Sequence, residues 1–175
     1  VAIDPVGGGL MSAELVQRLE LALDALRLIG DDVEIRNAAY VPLDIDLIVC
    51  ADPQYWIEDL RAELEVEFSD AWTSDGRRGF FHPDQWSFGQ ELHASQIVGR
   101  ALAVTGVERV LSLSMRRWNP GSGGGLVVVT LTPDALPDAL VETLAIGPFE
   151  ILEVANDPSR LETGRMLFEI LGGRR

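Results

Sequence analysis

Two histidines, one cysteine and one glycine triplet are the residues of this chain best suited to chemistry. His82-Pro83-Asp84 places two candidate ligands side by side. Zinc normally takes three or four, spaced along a helix or a knuckle, and neither His82 nor His93 lies in an HExxH arrangement. A Ser-His-Asp set can be assembled on paper from Ser87 or Ser95 with either histidine. Geometry rather than composition defines such sites, and no GxSxG elbow is present. Gly7-Gly8-Gly9 sits between a strand and a helix, where a phosphate-binding loop would sit. Leu10 and Met11 follow where that motif needs Lys and Ser/Thr, so a tight turn explains the glycines more simply. A lone cysteine, Cys50, rules out an internal disulfide and any CxxC-type site, and in its apolar strand it reads as a small hydrophobe. We therefore expect no catalytic residue, no cofactor and no metal.

Charge narrows the partners. Asp and Glu number 28 against 14 basic residues, all of them arginine, for a net charge of −14. Such a surface repels phosphate backbones, and its basic residues cluster only as the doublets Arg77-Arg78, Arg116-Arg117 and Arg174-Arg175. Nucleic acid is not an expected partner. No run approaches the roughly 18 apolar residues of a membrane helix, and the first residues lack the pattern of a secretory signal. With 47% hydrophobic residues the chain has enough apolar mass for a core. Val1-Ala2-Ile3-Asp4 reads as the end of a strand already under way, so we take the chain to be part of a longer protein.

The elements that must position these residues follow from periodicity. Ser12 offers an N-cap to a helix whose stripe is Leu15, Leu19, Ala22, Leu23 and Leu26, with Gly30 as its C-terminal stop. Val33 to Val41 reads as a strand, and Pro42, unable to donate a ladder hydrogen bond, marks an edge, a bulge or the switch into another sheet. Leu43, Ile45, Leu47 and Val49 then alternate with Asp44, Asp46 and Ile48, a half-buried strand with acid outward. Asp52-Pro53 reads as the start of a second helix, with Trp56, Ile57, Leu60, Leu64 and Phe68 inward. Ser95 is the expected cap of a third helix that buries Ile97, Val98, Ala101, Leu102 and Val104 before Gly106. Val107 to Trp118 and Leu126 to Leu131 read as strands, separated by the glycine-rich stretch 119–125. Pro133 to Leu144 has no clear assignment. Phe149 to Val154 and Met166 to Leu171 read as strands joined in a hairpin-like pair.

The expected fold class is therefore α+β: small α/β sandwich modules (β-α-β and β-α-α-β) with a β-rich C-terminal tail. The expected divisions are 1–41, 42–118, a flexible insertion at 119–145 and C-terminal strands at 146–175.

Residues 69 to 90 stand apart. Phe80, Phe81, Trp86 and Phe88 crowd a stretch whose Gly, Pro and Asp content rejects regular structure, with Arg77, Arg78, His82 and Asp84 among them. A loop this long is functional or packed upon itself, and aromatic rings with arginine are favoured interface anchors. We expect these eight residues to form either an interface or a structural loop.

Asp75-Gly-Arg-Arg-Gly-Phe-Phe-His-Pro-Asp84, then Trp86-Ser-Phe-Gly-Gln90, closely resembles a signature of the baseplate assembly proteins of contractile injection systems. Tyr40-Val-Pro-Leu-Asp-Ile45, Val104-Thr-Gly-Val-Glu108, Ile146-Gly-Pro-Phe-Glu-Ile151 and Asn156-Asp-Pro158 to Gly164-Arg-Met-Leu-Phe168 resemble further blocks in the same order. The resemblance covers nearly the whole chain. It points to the C-terminal region of the baseplate J-like wedge proteins. It implies a non-enzymatic structural subunit linking hub and sheath of a phage tail or tail-like particle, assembled in the cytoplasm. Its implied partners are copies of itself and other wedge, hub or sheath proteins. Two rival readings are a small-ligand-binding or regulatory α/β domain with the loop as lid, and an enzyme fragment using His82 and Asp84.

Overall fold

In the computed structural model, residues 1–6, 8–28, 30, 32–118, 126–131 and 142–175 are described. The expected linker 119–125 and the unassigned stretch up to residue 141 lie outside them. The protein is α+β, with helices set against a mixed sheet.

Strand β1 (Ala2–Ile3) pairs in parallel with β2 (Arg36–Asn37), and α1 (Ala13–Asp24) lies between them in sequence. The Ser12 hydroxyl accepts the N–H of Leu15, so this cap forms as expected. The helix ends at Ala25 rather than running on to Gly30. It buries none of its residues. Leu15, Leu19 and Leu23 of the expected stripe are half covered, whereas Ala22 and Leu26 face solvent.

Strand β3 (Ala39–Trp56) is the spine of the molecule. Leu43, Ile45, Leu47 and Val49 are fully buried on its inner face, as their alternation requires. Of the three readings open for Pro42, the switch is the one found. There the strand changes neighbour: Ala39–Pro42 pair in parallel with β8 (Glu150–Glu153), and from Asp44 onward β3 pairs in parallel with β9 (Arg165–Arg174). The strand thus runs unbroken across the 41/42 division expected from sequence. Residues 33–35 are not strand.

Asp52-Pro53 does not start a helix either. Asp52 donates its N–H to Gly106 O and accepts that of Gln54 on Oδ1, and β3 continues to Trp56. Pairing of Trp56 with Arg174 extends the strand beyond what local propensity dictates. Helix α2 (Ile57–Glu67) follows and buries Leu60 and Leu64.

On the other side β5 (Val107–Arg117) runs antiparallel to β3, and β6 (Val127–Thr130) antiparallel to β5. Two irregularities in the β3–β5 register leave Glu108 and Leu111 without partners on β3, bending the strand. Helix α3 (Ala94–Leu102) packs on β5 and buries Ala94, Ile97, Val98 and Ala101. Its cap is His93, not Ser95. The His93 ring accepts the N–H of Gln96, whose side chain accepts that of His93 in return. Leu102 is exposed rather than inward. Short strands β4 (Leu92–His93) and β7 (Thr143–Leu144) pair antiparallel.

The C-terminal strands do not form a hairpin. Both β8 and β9 add in parallel to β3, one beyond the other along its length. The turn between them is held by Asn156, at φ 52°, whose Oδ1 accepts the N–H of Met166.

One acidic residue escapes the alternation rule. Asp44 is 3% exposed and takes hydrogen bonds from the guanidinium groups of Arg116 and Arg165. Arg165 also stacks on Trp118, 5.2 Å from the ring centroid. Burial alone would raise the Asp44 carboxyl, but these hydrogen bonds outweigh it and hold the group below its ordinary range.

Candidate functional site

The aromatic loop begins where α2 stops at Phe68. Trp72 bridges to Arg78 across a tight turn in which Thr73 donates its N–H to Arg77 O, and Gly76 sits at φ +78°. The Thr73 hydroxyl donates to Asp75 and accepts the N–H of Arg77. That hydroxyl and the Arg77 guanidinium hold the Asp75 carboxyl down at about 2.

The chain then folds back against its own start. Gly79 N donates to Ala71 O, Phe80 N to Glu67 O and Phe81 N to Ser69 O. A Cβ at Gly79 would lie 2.3 Å from Ser69 O, so only glycine permits this approach. A 3-10 turn at Pro83–Gln85 is capped by the His82 ring, whose Nδ1 accepts the N–H of Asp84 at 3.2 Å. Trp86 Nε1 donates to Phe80 O, and Gly89 N reaches Glu150 O on β8.

These bonds gather the rings. Phe80 meets Phe81 edge-on at 4.9 Å and Trp86 at 5.5 Å between centroids, while Phe68 contacts both Phe80 and Phe168 of β9. Phe81, His82 and Trp86 are buried, and Phe80 and Phe88 pack against the core. Of the eight sequence-selected residues, these five thus serve the packing of the loop. Asp84 is half-buried, and Arg77 and Arg78 face outward.

Sequence reading missed the ring that the fold leaves outside. Trp72 is 60% exposed, with the Arg78 guanidinium 5.3 Å from its centroid and the His82 ring against its edge. A tryptophan four residues past a buried helix-end phenylalanine was the available signal. Arg78 also lies 3.4 Å from Asp84, and Arg77 is bonded to Asp75 at 2.6 Å, so both guanidinium groups are held in place at the rim.

The catalytic alternative fares differently in geometry. His82 Nδ1 is spent on the backbone N–H of Asp84 and stands 4.0 Å from its carboxylate, and His93 is spent on capping α3. Among the described residues no group of three His, Cys, Asp or Glu side chains is placed to hold a metal ion. Likewise, among them no helix is long and apolar enough to cross a membrane.

Gly8 and Gly9 of the glycine triplet lie beside this loop. Gly9 N donates to the Tyr40 hydroxyl at 2.7 Å, and that hydroxyl donates to Asp4. Pro83 packs 3.5 Å from the position a Cβ on Gly8 would take. The described glycines therefore join the N-terminal segment to β3 and the loop.

No protein-family model matches this chain, and no curated protein matches it by sequence.

Proposed function

We propose that this protein is a structural subunit of a contractile phage tail or injection-system baseplate, a wedge component that links hub and sheath through protein–protein contacts. The observation that carries the reading is the Asp75–Gln90 block. Its residue order resembles the wedge-protein signature, and its fold locks Phe81 and Trp86 inward while presenting Arg77 and Arg78 outward, beside the exposed Trp72 that precedes it. Tryptophan and arginine held rigid at a surface lose little entropy on docking, which suits them to anchor a contact. The partners are other wedge subunits, including copies of this one. The chain's acidic surface argues against nucleic acid in that role.

The test is assembly. Trp72→Ala with Arg78→Ala, in the full protein co-expressed with its neighbouring tail genes, should leave the fold intact and deplete particles seen by electron microscopy. Normal particles from a soluble, folded variant would remove the docking role from this loop. Neighbouring genes encoding neither tube nor sheath would remove the baseplate reading altogether.

A further inference from the structure

Among the described residues, the five most exposed large apolar side chains are Val6, Leu10, Leu21, Leu26 and Leu28, at 67–94% exposure. All lie in one short stretch around α1. Exposed apolar side chains scattered singly need no explanation, and of these five it is Leu21 that lines a groove. The helix itself makes the point sharper. α2 and α3 are anchored by buried residues, whereas α1 buries none over its 12 residues. A helix this short is marginal in water by itself and takes its stability from a covered face.

Beside it runs a groove of about 490 Å³ between α1 and residues 32–35. Leu21, Leu23, Val33 and Ile35 give it an apolar lining, and Glu20, Asp24 and Asp32 an acidic rim. One cation in the lining, Arg27, is bonded to Asp24 at 2.6 Å. The balance of the rim is negative. A second copy of a chain with net charge −14 brings repulsion to such a site, whereas a basic segment brings attraction.

We propose that this groove is a docking site for an amphipathic segment of a partner protein, apolar on one face and carrying lysine or arginine on the other. Its leucine-type residues cover Leu21 and Leu23, and its cations meet Glu20 and Asp32. The inference is independent of the baseplate reading: it concerns a different face of the molecule and rests on α1 alone.

A synthetic Leu/Lys amphipathic helical peptide is the probe, titrated against the 175-residue chain by fluorescence anisotropy, with amide exchange read by NMR. Saturable binding with new protection of α1 amides is expected. Leu21→Asp should weaken it about tenfold or more, the scale of one buried leucine. Glu20→Arg, which leaves the apolar lining intact, should weaken it too, and Glu65→Arg on α2 should not. An equal loss with Glu65→Arg would reveal unspecific attraction to the acidic surface and overturn the proposal. So would binding unaffected by both groove variants, or no binding at all. Self-association through α1 that Leu21→Asp abolishes would overturn it in favour of a second copy as occupant.

Discussion

The indole N–H of Trp86 donates to the carbonyl oxygen of Phe80 at 2.9 Å, closing the aromatic loop upon itself. The bond satisfies the one polar atom of a buried ring, and Phe81 stacks on that ring at 6.3 Å. Trp86→Phe should therefore cost about 1–3 kcal/mol, because it leaves the Phe80 carbonyl unpaired. Trp86→Ala should cost about 3–5 kcal/mol, the range for emptying an aromatic core site. Chemical denaturation measures both, and a stability unchanged in Trp86→Ala would contradict the packing described.

Trp72 gives the contrasting expectation. Its ring is mostly in solvent, so Trp72→Ala should alter unfolding by no more than about 0.5–1 kcal/mol, the value of an exposed cation–π contact. Any large effect of this change should appear in particle yield and not in the melting curve.

Gly79→Ala tests the fold-back. The added methyl meets the Ser69 backbone at 2.3 Å, where no side-chain rotation can relieve it. A loss of roughly 1–3 kcal/mol is expected from such overpacking, with faster amide exchange at Phe80 and Phe81. Exchange as slow as in the unaltered protein would show that the loop accommodates the methyl.

Acid should weaken the sheet at Asp44. Its folded carboxyl lies below the ordinary value, so the stability it contributes is present at neutral pH. That contribution is lost as pH falls from near 4 through the lowered folded value. Asp44→Asn should flatten this acid limb of the stability curve. Asp44→Ala should cost roughly 3 kcal/mol at neutral pH, the lower end for breaking a buried ion pair, because Arg116 and Arg165 retain access to water.

Base should loosen the N-terminal segment. Burial and the hydrogen bond to Asp4 push the Tyr40 phenol up from 10.0 to about 12. A group with a raised folded pKa contributes stability that is complete below its unfolded value and disappears as pH rises through the folded one. The Tyr40 contribution should thus fade between about pH 10 and 12. Tyr40→Phe should abolish that step and expose the Gly9 amide to exchange at neutral pH.

What the residues determine locally they determine well. The alternation Leu43-Ile45-Leu47-Val49, the stripes of α2 and α3 and the Ser12 cap are each set by neighbours within a turn or a pleat. Each is found as expected except at Trp56, which ends β3, and Leu102, both of which are exposed. The aromatic loop was equally legible, since its Gly, Pro and ring content excludes helix and strand. The sequence could not say which rings face inward. Phe81 and Trp86 are enclosed because Gly79 passes against Ser69 and Gly89 reaches β8, contacts made only once the chain has folded.

The same holds for β3. Each of its prolines reads locally as a break, yet pairing with β8, β9 and β5, strands up to 121 residues away in the Asp44–Arg165 contact, carries the strand through both. Asp44 is buried for that reason: its two arginines come from distant strands. Periodicity and capping are short-range and can be read along the chain. Which strand lies beside which, and therefore which charge is enclosed, is decided by long-range pairing that no local pattern records.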